Sequence, residues 1–444
     1  MGFMTLRAAA DFFLLFYITD VAGINPAIAG SALLFGKLTW DAINDPLFGY
    51  WSDRTRSRFG RRRIYMLIAA LPIALATWIQ YSLPTGLTGV AAFLAVLATF
   101  WLKDTAITLA IVPYYALAPE VTHDYRERAS LAFYRGVFSI VGYIIGAAVI
   151  TIVVGALKGT GLSLQQAWSD TAAIYGLIAM AAVLITTLTV KERSDPATAA
   201  SKMPPAKAIA ACFRNRPFML LMAVFMLGWF AFTVQSALLP YLLRYQLNMG
   251  DQIPLVLFIS LGTTGIFLFP AKLLSDKINK GPAYALGLSV AAIAFILMYF
   301  FMPNGPSPLI YIAAVVLGIG FSAQWVLPNA MLPDVIEHDE KMTGERREGI
   351  YTGLSNFMTK FTVALGIAVP GWALSGFGYM PNAVQTETAL FGIRLFWALI
   401  PALVMLLCVP ILIWYPVTQR SHATLVQELA EKKMETGESG EKKI

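Results

Sequence analysis

Apolar stretches about as long as a helix needs to cross a bilayer, each bounded by a polar or basic break, recur along the whole chain. They fall at 6–22, 28–50, 64–83, 90–118, 131–157 and 171–190, then, after a longer polar gap, at 218–243, 254–273, 283–302, 308–333, 350–377 and 389–415. This pattern predicts an all-α membrane protein of about twelve spans. Basic residues crowd into every second break: Arg54 to Arg63, Arg126 and Arg128, Lys191 to Arg216, Lys277 and Lys280, then Lys341, Arg346 and Arg347. The alternate breaks hold little beyond Lys158 and Arg244. Basic residues in short loops stay on the cytoplasmic side, so both termini are expected in the cytoplasm and the chain in the inner, cytoplasmic membrane.

Composition agrees, because 57% hydrophobic and 13% charged residues with a mean hydropathy of +0.65 exclude a soluble globule of this length. The net charge of +7 therefore belongs to the loops and implies no nucleic-acid partner. The first apolar stretch carries Arg7 and Asp11 and no small-residue cleavage site, so it is expected to stay as a span. Cys212 and Cys408 fall in the central connector and the last span, which makes a disulfide unexpected. All three histidines, His123, His338 and His422, lie at expected cytoplasmic positions, so an intramembrane proton relay would have to use carboxylates or lysine. No metal centre, cofactor, phosphate loop or nucleophile–base pair is expected, and an enzyme reading has no support.

The polar stretch 191–217, with Pro196, Pro204, Pro205 and Pro217, reads as a cytoplasmic linker between 1–190 and 218–416, with a charged tail at 417–444. Ser52-Asp53-Arg54 after the second span is echoed by Ser275-Asp276-Lys277 after the eighth, the same place in each half. Parallel halves of six spans are the plan of the major facilitator superfamily, whose substrate site lies between the halves near midplane.

Trp40-Asp41-Ala42-Ile43-Asn44-Asp45-Pro46 sets two carboxylates one helical turn apart inside an apolar span. At roughly 6 Å and an effective dielectric near 20, two ionised carboxylates repel by about 3 kcal/mol, so a proton or metal cation is expected between them. Hard monovalent cations suit carboxylate, carbonyl and hydroxyl oxygens.

Tyr17-Ile18-Thr19-Asp20-Val21, Trp40 to Pro46, Gly49 to Arg63 and Met358-Thr359-Lys360 together resemble the melibiose-permease type, the glycoside-pentoside-hexuronide:cation symporter family, across nearly the whole chain. The resemblance implies symport of a sugar-like solute with sodium, lithium or protons by alternating access. It implies a cation site at Asp41, Asn44, Asp45 and Thr108, and it matches Lys360 to a lysine near that site that could compensate an acid when the ion leaves. The other reading of Lys360 is a fixed bridge between the halves. A single copy acting in the bilayer on a small solute and a monovalent cation is expected.

The solute side departs from the namesake. Its sugar-binding acids correspond to Met4 and Ile111 and its fourth-span tryptophan to Tyr115, while Arg135 and Trp325 still match, so a galactoside is a poor expectation. Polar groups absent from the namesake take their place: Arg7 and Asp11 one turn apart, and Lys103 with Asp104 in the fourth span. Arg7 could read a carboxylate, sulfonate or phosphate through its planar fork; alternatively it pairs with Asp11 in its own helix, and Lys103 with an acid across the bundle. Gln235, Asn329 and Asn356 are further candidate donors to solute, and Pro328 with Asn329 predicts a local helix break after Trp325. The chain also starts late against the family pattern, which predicts a shortened first span with Arg7 and Asp11 nearer the basic surface.

Asp53, Arg54, Arg61, Arg62 and Asp276 are expected to form a cytoplasmic gate, with 123–128 and 337–348 as salt-bridge partners. A sugar-like solute, a glycoside or a sugar acid such as an anionic glycoside or hexuronide, is the leading expectation. A sodium-dependent lysolipid carrier and a non-transporting receptor or scaffold of the same fold are the alternatives.

Overall fold

The computed structural model describes residues 1–121, 125–190, 212–343 and 347–419, and among these the chain is helix and turn throughout. Most of the expected linker and the charged tail, with His123, Asp124 and Arg346, lie outside the described residues.

Twelve long helices succeed one another among the described residues. The first half holds α1 (Gly2–Phe16, continued by a π-helical turn at Tyr17–Val21), α2 (Pro26–Arg54), α3 (Arg63–Gln80) and α4 (Gly89–Val121). It is completed by α5 (Tyr125–Ile144, a π turn at Ile145–Val149, then Ile150–Gly159) and α6 (Leu164–Thr189). The second half begins with α7 (Arg216–Tyr241, ending in a π turn at Leu242–Gln246), α8 (Ile253–Ile278) and α9 (Lys280–Phe301). Then come α10 (Leu309–Thr343), α11 (Glu348–Gly376) and α12 (Glu387–Arg394, a π turn at Leu395–Leu399, and Ile400–Ile413). Eleven helices are long and apolar enough to cross a membrane; α2, which carries Lys37, Asp41, Asp45, Asp53 and Arg54, is as long but is not among the eleven. The least apolar helix is the one that brings the acids in.

Caps explain where several helices start. Asn25 Oδ1 accepts from the backbone N–H of Ala27 at 2.9 Å, ahead of Pro26 at the first helical position of α2. A capping box of Ser163 and Gln166 starts α6 at Leu164, before its apolar stretch begins at 171.

Two expectations are corrected. The helix does not break after Trp325: α10 runs through both Pro328 and Pro333. Membrane helices tolerate proline where neighbours and local adjustments re-satisfy the freed backbone groups. Nor is the first span short, since Gly2–Val21 makes 20 residues, about the length that crosses the hydrocarbon core.

Helix α1 packs on α5, α6 and α7, and α2 on α4 and, across the halves, on α11. At the end poor in basic residues this cross-half contact is backbone to backbone: a Cβ on Gly371 would come within 2.4 Å of the Pro26 carbonyl oxygen, and one on Gly30 within 2.8 Å of that of Ala368. Trp372 Nε1 donates to Ser31 Oγ at 2.9 Å beside them.

The same end is tied a second time through Asp20, a buried carboxylate that accepts from Tyr379 at 2.8 Å, from Thr19 at 2.7 Å and from Tyr245. Thr19 also bonds Tyr241 at 2.6 Å, and Asn382 Nδ2 donates to the Asp20 carbonyl at 2.7 Å. With α1 supplied by one half and the tyrosines by the other, the basic-poor end is shut.

Candidate functional site

Asp41 and Asp45 share one face of α2, and Lys360 of α11 reaches both: its Nζ lies 3.3 Å from Asp41 Oδ1 and 2.6 Å from Asp45 Oδ2. Across from them, α4 brings Thr108, whose hydroxyl donates to Asp45 Oδ1 at 3.5 Å, and Asp104, which accepts from Asn44 Nδ2 at 3.1 Å. The four residues expected to hold the cation thus come together, and Asp41, Asn44 and Thr108 are buried while Asp45 is more open. The register of α2 on α4 is fixed by Trp40, which donates to Thr105 at 2.8 Å and stacks on Trp101 with ring centroids 5.4 Å apart. Lys37, Leu38, Asp41, Phe357, Lys360 and Phe361 line a small open pocket between α2 and α11.

The expected solute residues divide. Arg7 Nε donates to Asp11 Oδ2 at 3.4 Å, so the in-helix pairing is present, but Asp11 also accepts from Tyr143 of α5 at 3.0 Å. The Arg7 guanidinium lies 5.3 Å over the Trp229 ring, Trp229 packs edge-on against Trp325 at 5.3 Å, and Trp325 against Tyr143 at 5.2 Å. Arg7, Asp11, Tyr143, Trp325 and Trp229 therefore close a ring drawn from both halves. Both indole Nε1 groups in it are buried without a hydrogen-bond partner. Tyr143 was not singled out from sequence; only its place one face away from Asp11 across two helices makes it a member.

Tyr115 and Arg135 meet each other, with the guanidinium 5.7 Å over the phenol ring, and both are exposed. Gln235 is buried and donates to Ser236 at 3.0 Å; Asn329 is exposed and donates back to the Trp325 carbonyl at 3.2 Å; Asn356 is exposed. Beside the ring, Ile140, Tyr143, Ile144, Leu261, Thr264, Gly265, Leu268 and Trp325 line a small, largely apolar cleft between α5 and α8.

A model of the family described as MFS/sugar transport protein matches residues 1–419. The chain belongs to that family. Within the MFS/sugar transport proteins it is 26% identical to the isoprimeverose transporter of Lactiplantibacillus pentosus, over 88% of this chain and 81% of that protein. It is 27% identical to the glucuronide carrier protein homolog of Escherichia coli (strain K12), over 96% and 92%, and to the putative sulfoquinovose importer of the same organism, over 98% and 92%. Among solved structures the nucleoside transporter NupG superposes with a TM-score of 0.61 at 14% identity, covering 94% of this chain and 99% of that one, which is a likeness of fold. The protein is a multi-pass solute transporter of the symporter type and not an enzyme, and its fold is that of the major facilitators.

At the basic end of this MFS/sugar transport protein, Arg54 stacks 3.9 Å over Tyr50 of its own helix, Arg62 donates to the Ala116 carbonyl of α4, and Arg61 has a partner of its own. Asp276 pairs with Lys272 one turn back at 2.5 Å, and the side chain of Asp53 lies outside the described residues. In the second half Arg347 is buried against Asp339, Nε to Oδ2 2.9 Å. Burial opposes the Arg347 charge, but the Asp339 carboxylate outweighs it and raises the pKa of the guanidinium above its ordinary value.

Proposed function

We propose that this transporter couples entry of an anionic, sugar-like solute to a monovalent cation, sodium or proton, by alternating access. The observation that carries the coupling is Lys360 bridging Asp41 and Asp45. A tethered ammonium in contact with both acids occupies the place a small cation would take, and ion and lysine are then exclusive occupants of one site. With the basic end in the cytoplasm, the state with its opposite end shut is the one that faces inward.

The solute reading rests on a surplus of donors. Of the five N–H groups of Arg7, the Nη groups make no hydrogen bond among the described residues, and two buried indole N–H groups stand in the same ring. Such a set is satisfied by an acceptor-rich carboxylate or sulfonate on a ring that stacks against Trp325 or Trp229. Relatives named for a glucuronide and for sulfoquinovose fit that class. The apolar cleft between α5 and α8 favours one second reading, an amphiphile whose tail lies there while Arg7 takes its head group.

The test is a proteoliposome screen of hexuronides, sulfonated sugars, neutral glycosides and lysolipids under imposed sodium or proton gradients. Coupling is reciprocal for binding free energies, so solute and ion are each expected to tighten the other. Asp45→Cys is expected to abolish that mutual enhancement; full ion-driven accumulation by this variant would overturn the assignment.

A further inference from the structure

The acids form two rungs between α2 and α4, one helical turn apart: Asp45 with Thr108, and Asp41 with Asp104. Asp104 stands within hydrogen-bonding reach of the Asp41 carboxyl and accepts from Asn44 Nδ2 at 3.1 Å. Lys360 touches Asp41 and Asp45 but not Asp104. Lys37 and Lys103 act on Asp104 only through space, without an ion pair among the described residues.

Asn44 is 1% exposed, and once its amide nitrogen serves Asp104, its Oδ1 is left buried with no partner. An orphaned buried acceptor carries a desolvation cost that native structures rarely leave unanswered. A proton shared by Asp41 and Asp104 would settle the two carboxylates and leave that oxygen bare. A metal ion with several oxygen ligands would satisfy all three groups.

We infer that the coupling ion is a sodium-class cation seated on the rung of Asp41 and Asp104, held by Asp41, Asp104 and Asn44 Oδ1, so that Asp104 is a direct ligand and sets ion selectivity. This rests on the cation-coupled reading above and adds to it a ligand from α4. Asp41 belongs both to the lysine's pair of acids and to the ion's ligands, so Lys360 must release it before the ion can settle.

Trp40 and Trp101 stack next to Asp41 and Asp104, so the intrinsic fluorescence of the purified full-length chain in nanodiscs reports on the rung. Sodium chloride is titrated against choline chloride at fixed ionic strength, without solute. The wild-type protein should give a saturable response to sodium. Asp104→Asn should raise the half-saturating concentration at least about tenfold, the scale seen when groups around a metal are lost, and Asp104→Glu, which keeps the charge, should remain saturable.

Half-saturation of Asp104→Asn at the wild-type concentration would overturn the assignment. So would a wild-type signal that follows pH and ignores sodium, the behaviour of a shared proton. Asp45→Cys separates the two layers. If that variant loses ion-stimulated transport while Asp104→Asn titrates normally, only the rung assignment fails; if Asp45→Cys keeps full ion-driven transport, the coupling reading itself fails.

Discussion

Lys360 meets two carboxylates from the opposite half at once, and its replacement separates a moving counter-charge from a fixed strut. For Lys360→Ala we expect solute counterflow to persist while uphill, ion-driven accumulation disappears, measured side by side in proteoliposomes; loss of both would mark a strut. Arg7→Lys keeps the charge but not the planar fork, and the loss of one charge-assisted bond at about 1.5 to 3 kcal/mol should weaken an anionic solute roughly 10- to 100-fold in a binding titration, with neutral glycosides little affected. At this scale the sequence was partly legible. The spacing of Asp41 and Asp45 is internal to one helix, so their shared face could be read from position alone. The bond from Asn44 to Asp104 and that from Tyr143 to Asp11 depend on how two helices are set against each other, and no single-helix periodicity contains that register.

Between elements, the contact that matters most is α2 on α11. Gly371→Leu would drive a side chain into the Pro26 carbonyl, and backbone cannot move aside as a flexible side chain can. The two helices should separate at that end, so that a cysteine at Ser31, now beside Trp372, reacts faster with a membrane-impermeant maleimide than it does in the Gly371 background. The twelve long helices were legible, eleven of them because long apolar runs have few alternatives in a bilayer. Their ends were less so: α10 extends to Thr343, beyond the apolar stretch that ends at 333, because its last turns carry charge. Pro328 also misled, since the signal that ends a helix in water does not end a membrane helix whose freed backbone groups are re-satisfied by neighbours and local adjustments.

For the molecule as a whole, the Asp20 cluster acts as a clasp between halves: one carboxylate draws in two phenols and a hydroxyl from three segments. Removing it with Asp20→Ala should lengthen spin-label distances across that end and shift the population toward the opposite-facing state. At the other end, Arg347→Ala would leave Asp339 buried without its guanidinium partner, and breaking a buried pair costs about 3 to 5 kcal/mol; a clear fall in the thermal unfolding midpoint in detergent is the expected reading. The fold of the whole chain followed from hydropathy and the position of basic residues, whereas the clasp could not, since its bonds between the halves join residues 222 or more apart.

The lysine lodged between the two acids of α2 has a kinetic corollary. Being covalently attached, it is a rival whose local concentration no buffer can dilute, so an arriving ion must evict it before it can stay. Measured half-saturation would then express a contest between two guests and not the bare affinity of the oxygens. A carrier built this way can make its empty return trip with the vacancy already filled, and weakening the resident guest should make ions bind more tightly while slowing the cycle.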